Sequence, residues 1–186
     1  MPELACHCGS LRVAVDLDPS GTHVTCYCDD CRAYLRWLER GDLLDAHGGT
    51  EIVQLAPRQL RLLSGGERLA CLRLSERGLH RFFASCCRTP LGNALPRVPF
   101  VGIVVRGIGL ALPSKPVGIH GRFALGDGHG AHAIAPLSLL VRSAITIGGR
   151  WLLGRGGASP FFDDAGSSRA AVRVLTPQER AAIADR

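Results

Sequence analysis

The run Cys26-Tyr27-Cys28-Asp29-Asp30-Cys31 places three thiols within six residues. Thiolate sulfur selects zinc, copper(I) or iron–sulfur clusters, and this spacing lets all three sulfurs converge on one centre from a single short stretch. Cys28 and Cys31 are three apart, the separation at which helical side chains share a face, so a tight turn running into a helix would aim both the same way. A catalytic zinc site typically has three protein ligands, leaving a fourth position for water or substrate. Asp29 and Asp30 would sit at the start of that helix, where carboxylates suit the positive end of its dipole. A second reading makes Asp30, or His7, a proton relay beside the metal. Arg32, next to Cys31, is a candidate counter-charge for a tris-thiolate.

Four more cysteines fall into two further motifs, Cys6-His7-Cys8-Gly9 and the adjacent pair Cys86-Cys87. A closed structural zinc site takes four ligands, so a closed and an open site together account for seven of the eight cysteines. The eighth, Cys71, has no cysteine nearby in sequence and reads as a small buried hydrophobe. Neighbouring residues of an extended chain point to opposite sides, so adjacent thiolates do not readily chelate one ion. Two routes remain open. A distorted turn lets Cys86 join Cys6, Cys8 and Cys87, or Cys86 turns toward Cys26, Cys28 and Cys31 and closes that site. The expected cofactor is Zn2+, as one or two ions.

Composition narrows the function classes. The chain has 186 residues, 46% hydrophobic and 20% charged, an ordinary globular balance. Its net charge of +6 counts every thiol as neutral. Seven bound thiolates subtract seven and two divalent ions add four, leaving a modest +3. The basic residues are arginines scattered along the chain, with Lys115 the only lysine, which argues against a nucleic-acid partner. No basic segment followed by an apolar run opens the sequence, so the expectation is a reducing cytoplasm, where clustered cysteines mean metal rather than disulfides.

The elements that must hold these cysteines read mainly as strands. Leu11–Leu17 alternates apolar and polar residues, Pro19-Ser20-Gly21 suits a turn, and His23–Thr25 delivers Cys26. The pattern becomes helical over Tyr34–Leu38 and stops at Gly41. Further strands are expected from Gly48 to Pro57, Arg58 to Leu63, Arg68 to Leu74 and His80 to Ser85, with Ser64-Gly65-Gly66-Glu67 as a hairpin turn. Phe82 to Asn93 reads as a strand end entering a turn, and Pro99–Arg106 as an apolar strand. His129 and His132 lie in a glycine-rich loop. Ile134–Leu153 carries a polar stripe of Ser138, Arg142, Thr146 and Arg150, so it reads as an amphipathic helix. Spanning a bilayer would cost about 2.5–3.5 kcal/mol for each central arginine, so no membrane span is expected. Thr176-Pro177-Gln178-Glu179 is a capping box opening a last helix to Asp185. The expected organisation is a zinc-binding β domain over residues 1–110 and a loop and helical extension over 111–186.

The three motifs together resemble the glutathione-dependent formaldehyde-activating enzymes and their relatives, including centromere protein V. Cys6-His7-Cys8-Gly9 matches the first family motif, Cys26 to Cys31 with Arg32 the second, and Phe82, Phe83, Cys87, Thr89, Pro90 and Leu91 part of the third. The resemblance covers roughly residues 4–106. Ala84 stands where the third motif has its first cysteine, and Arg88 where it has glycine. The resemblance implies a mainly β fold of folded-over antiparallel sheets, the β-tent type, here with a C-terminal helical extension. It implies a structural zinc on the first and third motifs and a more open, catalytic zinc on Cys26, Cys28 and Cys31. The expected partner is a small thiol or its aldehyde adduct.

Overall fold

A computed structural model describes residues 2–17, 22–107, 112, 114–153 and 159–184. The fold is mainly β. Strands β1 (Glu3–Ala5), β2 (Arg12–Val15) and β5 (Leu60–Ser64) form a three-stranded antiparallel sheet in the order β1-β2-β5. A larger sheet of eight strands contains β3 (Thr22–Cys26), β4 (Thr50–Leu55), β6 (Leu69–Arg73), β7 (His80–Ala84), β8 (Thr89–Ala94), β9 (Val101–Val104), β10 (Val117–Ile119) and β11 (Val172–Val174). Its order is β10-β3-β4-β9-β8-β7-β6-β11. The six inner strands are antiparallel, while the edges β10 and β11 pair parallel with β3 and β6. Strands from beyond residue 110 therefore complete both edges of the large sheet. The expected boundary between residues 110 and 111 lies outside the described residues, as do Pro19-Ser20-Gly21 and Asp185.

Alternation along single strands separates two cores. On β7, Phe82 faces the core that joins the two sheets, with Leu4, Val13, Val53 and Ile103, whereas Phe83 faces helix α1 (Asp29–Trp37). Tyr34, Leu35 and Leu38 pack there against Leu72, Leu175 and Ile183, the last from helix α3 (Pro177–Ala184). Cys71 is buried in the inter-sheet core, as a small hydrophobe would be.

Two local expectations are corrected. The Ser64–Glu67 segment is no hairpin, because β5 and β6 belong to different sheets and this turn carries the chain from one to the other. Gly65 is required there: its φ is +77°, and a Cβ would lie 2.1 Å from the Ser10 carbonyl oxygen. The turn after β7 ends sooner than expected, with β8 beginning at Thr89. Pro90, which has no N–H to give the ladder, sits where the β7–β8 register shifts.

Helix α2 (Leu137–Leu152) forms where the amphipathic pattern placed it. Ser143, Thr146, Ile147 and Arg150 are half-buried on it, and the Ser143 hydroxyl donates 3.4 Å to Gln54 Oε1 of β4. Leu137, Leu140, Val141, Ile145 and Trp151 are exposed. No helix among the described residues is long and apolar enough to cross a membrane.

Candidate metal centres

The two cysteine groups are built by different parts of the fold. Cys6 and Cys8 lie in the turn from β1 to β2, where the Leu11 N–H donates 3.3 Å to Cys6 Sγ and Gly9 adopts φ +75°. Cys86 and Cys87 sit in the four-residue turn between β7 and β8. The Arg88 N–H closes this turn on the Ala84 carbonyl at 2.8 Å, with Arg88 itself left-handed at φ 55°. That compact turn decides which route Cys86 takes. The two adjacent side chains are no longer on opposite sides, as they would be in a strand, and both reach Cys6 and Cys8.

The resulting distances suit a four-sulfur site. Cys8 Sγ lies 3.6 Å from Cys6 and 3.3 Å from Cys86, Cys6 lies 3.8 Å from Cys86, and Cys86 lies 3.8 Å from Cys87. All four sulfurs fall within 4.8 Å of one another. Zinc–sulfur bonds of about 2.3 Å in a tetrahedron separate sulfurs by roughly 3.8 Å, so these four residues fit such an ion without rearrangement of the backbone. The Ser10 hydroxyl and then its backbone N–H hold the Cys8 thiol down at about 6, which favours the ligating thiolate.

The second group is local. Cys26 ends β3, Cys28 is the N-cap of α1 and Cys31 lies in its first turn. The Cys31 N–H donates 3.1 Å to the Cys28 carbonyl, giving the expected turn into a helix. Cys26 and Cys28 sulfurs are 3.3 Å apart, and the three sulfurs lie within 4.8 Å of one another. No fourth His, Cys, Asp or Glu joins them among the described residues. Their protonation is divided unequally. Hydrogen bonds from Cys26 and then Cys31 pull the Cys28 thiol down, the contact with Cys28 pushes Cys26 up, and contacts with Cys26 and then Cys28 push Cys31 up. A divalent ion held by the three sulfurs would displace the protons they carry. Cys26 and Cys31 are 7% exposed, with Val24, Ile52 and Leu139 of α2 around them.

The surrounding charges differ from expectation. Arg32 does not serve the sulfurs: its guanidinium donates 2.5 Å to Asp29 Oδ1 and 3.0 Å to the Phe123 carbonyl. Asp30 is engaged too, paired with Arg180 of α3 and 3.8 Å from Arg81 of β7. Arg81 is the residue that sequence reasoning missed. It is 3% exposed, and its charge also favours the Cys28 thiolate, after the cysteine hydrogen bonds. An isolated arginine in an apolar strand was its one available signal. His7 belongs to the four-cysteine side, where it lines a cavity of about 330 Å³ with Arg40 and Arg106. His129 lies near Tyr27 and His47, with ring centroids 5.7 and 6.1 Å away, and accepts from its own loop at Ala131 N–H.

No curated protein matches the chain. A crystal structure of a Rhodobacter sphaeroides protein, a structural-genomics target, is similar at 19% identity over 59% of this chain and 91% of that one, with a TM-score of 0.44. The sequence of residues 1–172 matches one family throughout, and the chain belongs to it: the family of unknown function DUF6151.

Proposed function

We propose that the protein binds two zinc ions, a structural one at Cys6, Cys8, Cys86 and Cys87 and an open one at Cys26, Cys28 and Cys31. The open centre would take a small thiol, or a thiol–aldehyde adduct, in carbon–sulfur lyase chemistry. The observation that carries this reading is the inequality of the two groups, four sulfurs in one and three in the other. The resemblance of the first two motifs to the formaldehyde-activating enzymes supports it. Zinc, when bound, lowers the pKa of a coordinating thiol and acts as a Lewis acid. In the addition direction the thiolate sulfur bonds to the carbonyl carbon, the C=O π pair moves onto oxygen, and that oxygen takes a proton. In the reverse direction the C–S bond breaks and the sulfur keeps the pair. Cys26, Cys28 and Cys31 hold the site on the rigid end of β3 and the first turn of α1. Clustered thiols kept for metal suit a reducing compartment, and a cytoplasmic location is part of this proposal.

A second reading, a non-catalytic zinc-structured binding module, draws on the burial of Cys26 and Cys31 and the packing of Leu139 beside them. Metal analysis with X-ray absorption separates the two. Two zinc ions with fewer than four sulfurs per ion on average, and loss of thiol binding and turnover in a folded Cys28→Ser variant, support the open site. Full sulfur coordination, or normal turnover by that variant, overturns it.

A further inference from the structure

Arg81 is a full charge inside the protein, at 3% exposure, and burying such a group is costly unless an anion compensates it. Its visible partners do not suffice. Asp30 Oδ2 is 3.8 Å away, and the same carboxylate is already paired with Arg180. Asn93 Oδ1, at 3.5 Å, is neutral, and the Tyr34 ring 5.3 Å from the guanidinium offers only its π face. The Arg81 Nε–H is buried without any partner. Two guanidinium groups thus share one carboxylate, which leaves one positive charge in excess. The Arg81 guanidinium lies over Tyr34, one turn after Cys31 on α1, and its carboxylate neighbour Asp30 sits between Cys28 and Cys31 at the start of that helix. A divalent ion on three thiolates carries one negative charge, equal and opposite to the excess.

We propose that Arg81 is the counter-charge of the tris-cysteine centre and that Asp30 and Arg180 hold it in place. The four-cysteine centre has no comparable buried arginine among the described residues. Arg180 reaches Asp30 across 150 residues and also donates 3.4 Å to the Leu74 carbonyl, so α3 is part of the support for this centre. Asp30 is thereby a positioning residue rather than a free proton carrier. The inference rests on a metal at Cys26, Cys28 and Cys31, and not on what fills the fourth position.

Competitive zinc titration with a chromogenic chelator, read in two steps, tests it on the whole chain. The four-cysteine step is the internal control for folding. Arg81→Met weakens the tris-cysteine step by at least about tenfold and leaves the other unchanged, while Arg81→Lys, which keeps the charge, stays within about threefold. Arg180→Gln, at a half-exposed position, weakens the same step because Asp30 then draws on Arg81 alone. Equal weakening of both steps, equal effects of methionine and lysine, or unchanged affinity in Arg81→Met and Arg180→Gln overturns the assignment. A wild-type protein that takes one ion only removes the centre itself, and with it the open-site reading; two ions held alike by wild type and variants refute Arg81 alone.

Discussion

The buried Tyr34 hydroxyl donates 2.9 Å to the Phe82 carbonyl oxygen and so fastens α1 to β7. One element carries Cys31 and the other leads directly to Cys86. Tyr34→Phe keeps the ring against Leu72 and Phe83 and removes only this bond. The expected loss is about 1–2 kcal/mol of stability, read as a lowered midpoint of urea unfolding with unchanged slope. An unaltered midpoint would show that the bond contributes nothing.

The proposed zinc sites divide the cysteines into seven ligands and one bystander. Cys87→Ser is expected to lower the bound metal by one ion per chain, because an alcohol is a poor replacement for a thiolate. Cys71→Ala is expected to keep the full metal content, since its sulfur belongs to neither of the two converging groups. It should lose only about 1 kcal/mol for the atom removed. Elemental analysis of the two purified variants beside wild type decides the matter.

Arg88 occupies a left-handed conformation at φ 55° and pairs with Glu39 at 2.6 Å. A β-branched side chain tolerates this conformation poorly, so Arg88→Val is expected to cost about 1–2 kcal/mol and to loosen the turn holding Cys86 and Cys87. Arg88→Gly should keep the turn and its metal. Comparing metal release from the two variants separates backbone strain from the loss of the ion pair.

Glu179 accepts the Thr176 N–H at 2.8 Å, and the Glu179 N–H donates 3.2 Å to the Thr176 hydroxyl, completing the capping box. The Thr176 N–H first, and then Arg173, hold the Glu179 carboxyl below its ordinary value of 4.5. A depressed folded-state pKa gives stability that is complete above the unfolded value and lost as pH falls through the folded one. Amide exchange at Thr176 and Glu179 should therefore be pH-corrected flat above pH 5 and accelerate below about pH 4. Glu179→Gln should remove that acceleration.

The parts of this structure that were readable in advance are those whose cause is local. The Thr176–Glu179 box, the turn of Cys28 into α1 and the existence of β2 each follow from residues within one turn or one strand, although Ala14 of β2 is buried along with Val13 and Val15. The grouping of Cys6 and Cys8 with Cys87 was legible as a motif, but the side taken by Cys86 was not. It depends on a turn closed by Arg88 N–H on Ala84, for which the sequence offers a bulky arginine in place of the usual glycine. Strand β8 was hidden by Pro90 and Gly92, both ordinarily poor strand residues, and its burial between β7 and β9 overrode them. The three-residue edges β10 and β11 carry no period of their own and exist because β3 and β6 offer free edges. The role of Arg81 was hidden for a related reason. Its partner Asp30 is distant in sequence, and Arg180 more distant still, so only the assembled sheet and helix bring the three charges together.

The separation of ligands along the chain sets the order in which the two centres can form. Cys26, Cys28 and Cys31 need only one short turn, so their loop-closure cost is small and an ion can be captured before tertiary structure exists. Cys6 and Cys86 are 80 residues apart, and their sulfurs meet only after the long excursion through β2 to β7 has folded back. An ion bound there closes that entire excursion, so its binding energy becomes folding energy for both sheets. With ions bound as proposed, the four-cysteine centre would act as a late topological lock, while the three-cysteine centre would be available from the earliest stages of chain growth.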